Sequence, residues 1–251
     1  MRTCKQLLHI SLLVATPHKC RAVMQNILPI NMTIKIVIIF CLLTFLVHDV
    51  YSQNIEEFFK AIPGGYVNNL TVEEREELMK KNKFYPSDND ENFIQIYRVV
   101  ESTNDFLRIE MSFETGQRGF NTFQLKKWTL NTGDYLFGIS RVAGTPGEFV
   151  QADLSFFTFN GDTLIKAQTN IPADLTVVDF AKPNTPDQLL QEYAQYISLT
   201  ISFYEEKNDI FWRIHENMGG SNLDTSWLEG NAIQYIWNGK DFVKNGYIQY
   251  P

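Results

Sequence analysis

From Phe93 to its end the chain reads as short runs of aromatic and β-branched residues broken by turn clusters. Between 106 and 113, Leu107, Ile109, Met111 and Phe113 alternate with Phe106, Arg108, Glu110 and Ser112. Successive strand side chains point to opposite faces, so this period of two predicts a strand with one buried and one wet face, as an antiparallel sheet requires. The same reasoning predicts strands over 93–100, 122–130, 135–142, 152–159, 163–168, 197–204, 210–215, 232–237 and 241–244. The clusters Ser102-Thr103-Asn104-Asp105 and Asn131-Thr132-Gly133-Asp134 mark turns between them. The sharpest hairpin signal is Asn160-Gly161, since a type I′ turn needs positive φ at both central residues. That pair predicts 152–168 as the central hairpin of the β region.

Helical spacing occurs in two places ahead of the strands. Ile55, Phe58, Phe59 and Ile62 fall on one face, with Asn54 to cap the start and Pro63-Gly64-Gly65 to stop the end. A second helix is predicted over 72–81, where Thr71 and Glu74 form a capping box and Lys80-Lys81 sit at the negative end of the helix dipole. A third, over 187–196, would use Thr185 as its cap and Pro186 at its first position. The fold class expected is α+β: two short N-terminal helices packed on a mainly antiparallel β-sheet or sandwich built from hairpins. Pro172, Pro183 and Pro186 punctuate the chain before the third helix, so a secondary boundary is expected near 170–188 within one β-rich domain spanning 53–251.

The first 52 residues follow a different pattern. Ile36 to Val47 is a charge-free apolar run preceded by Lys35 and followed by the small residues Val50 and Ser52. That layout predicts a signal peptide over 32–52, cleaved after Ser52, because the run is well short of the roughly 20 apolar residues that span a bilayer. Met32-Thr33-Ile34-Lys35 makes an ordinary signal start, so residues 1–31 are expected to be a start-site artefact. No stable membrane insertion is expected after cleavage, and the destination is the periplasm, the cell surface or the outside medium.

Trimming at Ser52 changes the chemistry on offer. Cys4, Cys20 and Cys41 all lie before it, leaving a mature chain with neither disulfide nor thiol nucleophile. Taking away five basic residues (Arg2, Lys5, Lys19, Arg21, Lys35) and one acidic residue (Asp49) from the chain's 22 and 29 leaves 17 against 28, a net charge of −11. A surface of that sign repels phosphate backbones, which argues against nucleic acid as a partner.

Candidate chemistry is sparse. His215 is the one histidine after Ser52; with no second histidine and no cysteine beside it, a zinc site is not expected and a structural role at a strand end is. No G-x-S-x-G elbow, phosphate-binding glycine loop or EF-hand loop occurs; Asp88, Asp90 and Glu91 read as a solvated turn, and Gly219-Gly220-Ser221-Asn222 as a loop. No cofactor is expected. A pair of carboxylates facing across a cleft is the one enzymatic option, drawn from Glu110, Glu114, Asp134, Asp153, Glu205, Glu206, Glu216 and Glu229. For binding, the tryptophans offer flat amphipathic surfaces, Trp227 first because 217–230 reads as loop, then Trp237 and Trp212. Against this, Trp128, Trp212 and Trp237 sit in strands, where burial is the usual fate of tryptophan.

The signal ending Val50-Tyr51-Ser52-Gln53, the opening Glu57-Phe58-Phe59-Lys60-Ala61-Ile62-Pro63 and the strand Asp153-Leu154-Ser155-Phe156-Phe157 in a β-meander together resemble small exported proteins of unknown function from Bacteroidota. Some members of that group carry cysteines just before the Asp-Leu strand, where this chain has Gly147 to Ala152. The resemblance implies export and a β-rich fold and supplies no catalytic residue. The expected function is that of an exported, non-catalytic binding or envelope-assembly protein whose partner is a glycan or another exported protein. A secreted glycan hydrolase using a carboxylate pair is the alternative.

Overall fold

The computed structural model describes residues 54–250 apart from 88–92, 115–118, 146–147, 161–162, 173 and 217–223. The chain divides into units 1–52 and 53–251, of which the second is described. The apolar run 36–47, the acids Asp88, Asp90 and Glu91, and the Gly219 to Asn222 loop therefore lie outside the described residues.

Helix α1 (Ile55–Ala61) starts where Asn54 Oδ1 accepts the Glu57 amide at 2.8 Å, which satisfies one of the free N–H groups of the first turn. Glu56 and Glu57 lie at its positive end. A short 3-10 turn (Gly64–Val67) and two left-handed asparagines, Asn68 and Asn69, lead to α2 (Val72–Lys81). There Thr71 Oγ1 accepts the Glu74 amide at 3.2 Å and Glu74 accepts the Thr71 amide at 2.8 Å, a reciprocal capping box. Arg75 closes the joint between the helices. Buried, it donates to the carbonyls of Leu70, Phe59, Lys60 and Ile62, three of them at the end of α1, where helix geometry leaves carbonyls unpaired.

Eleven strands follow among the described residues, in two antiparallel sheets. The first runs in chain order: β1 (Lys83–Phe84), β2 (Gln95–Ser102), β3 (Phe106–Phe113), β4 (Phe120–Thr129), β5 (Tyr135–Thr145), β6 (Glu148–Asn160) and β7 (Thr163–Ala167). The second has the order β11-β10-β9-β8, with β8 (Ile197–Ser202), β9 (Ile210–Glu216), β10 (Ala232–Trp237) and β11 (Phe242–Ile248). Between the sheets in sequence come a 3-10 turn (Val177–Phe180) and α3 (Asp187–Ala194).

Each face of the seven-stranded sheet has its own core. Leu107, Ile109, Phe123, Leu125, Phe137, Ile139 and Phe157 cluster with Ile55, Phe58, Phe59 and Leu78 of the helices, and Phe58 stacks on Phe137 at 4.7 Å. On the opposite strand parity, Phe106, Trp128, Leu136 and Phe156 join Ile201, Trp212, Ile233 and Phe242 of the second sheet and Phe180, Phe203 and Trp227 beside it. Thus the face of β3 read as wet is covered at its Phe106 end.

Three local expectations change. The hairpin of β6 and β7 is not central, because β7 is the last strand of its sheet. Asn160 pairs with Thr163, so the connection is 161–162, one residue later than Asn160-Gly161 and outside the described residues. Helix α3 has Pro186 in the capping position with no side-chain cap, while the Thr185 hydroxyl donates to the Lys182 carbonyl at 2.8 Å.

Candidate functional site

The second sheet meets the first through β8, whose outer edge has no strand partner among the described residues. An open edge exposes alternate N–H and C=O groups that need partners if buried. Side chains from the first sheet supply them. The Ile201 amide donates to Gln151 Oε1 at 2.7 Å, and the Ile201 carbonyl accepts from the Ser140 hydroxyl at 2.9 Å. One further bond runs the other way, from the backbone amide of Phe149 in β6 to the Ser198 side chain of β8 at 3.3 Å.

Beyond β8 the chain forms a loop, 203–209, and three same-face residues of β4 hold it. Gln124 Oε1 accepts the Phe203 amide at 3.0 Å, Lys126 Nζ donates to the Tyr204 and Glu205 carbonyls at 2.7 Å each, and Trp128 Nε1 donates to the Asn208 carbonyl at 2.8 Å. Their spacing of two puts all three side chains on one face of β4, so a straight strand fixes an irregular loop. Lys126 is 2% exposed, and burial lowers its pKa.

This loop roofs a cavity of about 260 Å³. Its floor is Phe106, Arg108 and Gln124 of the first sheet with Glu101 at the end of β2; its roof is Phe203 to Lys207, and Tyr250 closes one side. Tyr204, Phe211 and Tyr250 pack as a three-ring cluster with centroids 5.4 to 5.7 Å apart. Arg213 lies over Tyr250 at 4.1 Å and donates to the Tyr204 hydroxyl at 3.0 Å. Burial, then the hydrogen bond and charge of Glu205, push the Glu101 carboxyl above its usual range, with Arg108 pulling the other way. Burial also raises Tyr250, to about 12.

The cavity gathers planar polar groups around aromatic faces at a place no sequence motif marked. Of the acids considered beforehand, Glu205 and Glu206 line it. Glu110 pairs with Arg108. Glu114 accepts from Tyr85, Asp134 from Thr132 and Asp153 from Ser155. The Glu216 side chain lies outside the described residues. Glu101, the partner of Glu205, stands 104 positions away in sequence, and only the closure of the two sheets brings them together.

The tryptophans proposed from sequence sit elsewhere. Trp212 is 2% exposed and donates to the Pro172 carbonyl at 3.2 Å; Trp227 is 7% exposed and packs on Tyr193 at 5.7 Å. Trp237 is half-buried, 4.8 Å from Phe242, and donates to the Thr129 carbonyl at 3.1 Å. None of the three lines the cavity. His215 faces Thr200 across the β8–β9 pair at 2.7 Å, beside Phe149, and burial with the charge of Arg213 lowers its pKa to about 4.

Among the described residues no group of three or more His, Cys, Asp or Glu side chains is placed to hold a metal ion, and no helix is long and apolar enough to cross a membrane.

No protein-family model matches the chain, and no curated protein is similar to it at a significant level. Among solved structures, a domain of an uncharacterized protein from Porphyromonas gingivalis W83 is similar at 17% identity with a TM-score of 0.49, over 76% of this chain and 96% of that one. That overlap is too loose to carry a function across.

Proposed function

We propose that this chain is an exported binding protein whose ligand is a glycan, one sugar ring of which enters the cavity under loop 203–209. The observation that carries this reading is the lining itself. Sugar rings present apolar C–H faces and a rim of hydroxyls, which suit tyrosine surfaces flanked by planar hydrogen-bonding groups. Tyr204 and Tyr250 supply the first; Glu101, Arg108 and Gln124 supply the second. At about 260 Å³ the space suits one ring and is smaller than sites for drug-sized ligands, which run from roughly 300 Å³ upward. Export rests on the charge-free run 36–47 behind Lys35 and on the resemblance to small exported Bacteroidota proteins.

Hydrolysis by a carboxylate pair is the second reading, favoured by the meeting of Glu101 and Glu205. A glycosidase, however, sets its carboxyls roughly 5 to 9.5 Å apart, with the sugar carbon between them. The faces of Tyr204 and Tyr250 in the lining answer to binding rather than to that geometry, so binding is preferred.

The test is calorimetric titration of the protein with a panel of mono- and disaccharides, repeated with Tyr204→Ala. Saturable binding weakened about tenfold or more by the substitution supports the reading, since a buried aromatic contact contributes on that scale. Binding unaffected by Tyr204→Ala removes the cavity from the reading, and turnover abolished by Glu101→Gln replaces it with hydrolysis.

A further inference from the structure

Lys207 is exposed, and its ammonium lies beside a cluster of rings. Nζ lies 5.3 Å from the Phe211 ring centroid, 5.9 Å from Tyr250 and 6.0 Å from Tyr204. Three rings packed against one another thus turn toward a single cation, at the distance where the negative ring faces attract positive charge. Lys207 also lines the cavity, together with Glu101, Glu205, Glu206 and Arg108. With Lys207 swung outward, the remaining lining carries three carboxyls and one guanidinium, in a chain whose mature part is net negative.

Swinging outward costs little. Lys207 belongs to a loop held by backbone contacts at 203, 204, 205 and 208, not by its own side chain. The geometry points to a ligand that carries an ammonium group, for which Lys207 is the built-in stand-in; building on the glycan reading above, that ligand is an amino sugar with a free amine. Its –NH₃⁺ takes the position over Tyr204, Phe211 and Tyr250, its hydroxyls face Glu101, Gln124 and Arg108, and Lys207 moves aside. Arg213, on Tyr250 at 4.1 Å and tied to the Tyr204 hydroxyl, stays in place and keeps the rings oriented.

The test uses the protein with four probes: glucosamine, N-acetylglucosamine, glucose and N-acetyl-lysine amide, each against wild type and Lys207→Met. Expected are glucosamine binding about tenfold tighter than N-acetylglucosamine or glucose, and a several-fold further gain for glucosamine alone in Lys207→Met, because the competing internal cation is gone. N-acetylglucosamine or glucose binding as tightly as glucosamine overturns the ammonium assignment while leaving the glycan reading intact. N-acetyl-lysine amide binding as tightly as glucosamine overturns the sugar and assigns the site to a protein lysine. No saccharide binding at all overturns the glycan reading itself. Lys207→Met weakening every probe overturns the stand-in role and makes Lys207 a direct ligand contact.

Discussion

The two faces of the seven-stranded sheet solve one problem in different ways. On the helix side the interior is aliphatic and aromatic, and a buried cation, Arg75, collects the carbonyls at the end of α1. On the sheet side Gln124, Lys126, Ser140 and Gln151 reach across to a strand edge and the loop after it. Helices pair their own backbones, so only their ends need help, whereas an edge strand needs it along its length. Polar side chains therefore entered the second interface, and the cavity lies where they end.

Removing the largest apolar group shared by the second core and the loop should do the most damage. Trp128 is 1% exposed, touches Phe156, Phe203, Trp237 and Phe242, and holds the Asn208 carbonyl. Trp128→Ala is expected to cost about 3–5 kcal/mol in denaturant unfolding. Next come two of the buried cations, one on each face. Arg75→Met and Lys126→Met each leave carbonyls without donors and should each cost about 2–3 kcal/mol. Only Lys126→Met should also weaken saccharide binding, since only Lys126 holds the cavity roof. Equal loss of binding in both variants would show that the faces are not separable in function.

Acidification sharpens the comparison at a third position. His215 has a folded pKa of about 4 against an unfolded value near 6.5, so its neutral form is favoured by folding. The unfolded chain binds the extra proton first. Stability should therefore be fully present above about pH 6.5 and fall as pH drops toward about 4, by on the order of 2 kcal/mol, with His215→Asn flattening that slope. Glu101 acts with the opposite sign: its raised pKa means that the folded state takes up the proton more readily, so its contribution improves as pH falls. Glu101→Gln should steepen the acid loss that His215 causes.

A smaller effect is expected at Gly138 in β5. A Cβ there would lie 2.8 Å from Trp128 Cζ3 and 3.0 Å from Phe156 Cε1, so the ring of Trp128 depends on a missing side chain. Gly138→Ala should cost about 1–2 kcal/mol through overpacking of the sheet side. The variant has no reason to perturb the helix side, which near-ultraviolet spectra of the aromatic residues can check.

Local signals in the sequence carried far, and long-range ones did not. The capping box at Thr71 and Glu74 placed α2 at its observed bounds, and alternation placed β3 at its own, because both depend on neighbours within four residues. Strand β1 was missed: two residues, Lys83 and Phe84, offer no period to read. Strand β11 runs on to Ile248 past the expected end because a bulge opposite Gln234 and Tyr235 breaks its alternation, with Gly246 at a φ of 120°. The cavity was illegible for a different reason. Lys126 looks like an ordinary surface lysine until β8 and its loop, 78 positions on, supply carbonyls for its ammonium. Glu101 gained its meaning in the same way, from Glu205. A lysine on the same strand face as Trp128 is the one hint the sequence held.

The most direct measurement is a heteronuclear NMR titration of the protein with glucosamine, followed at backbone amides. Saturable shifts concentrated at Glu101 to Arg108, at Tyr204 to Lys207 and at Tyr250 are the expected result. Saturable shifts centred instead on Trp227 or Trp237, or no saturable shifts with any saccharide, would contradict a glycan site under the loop.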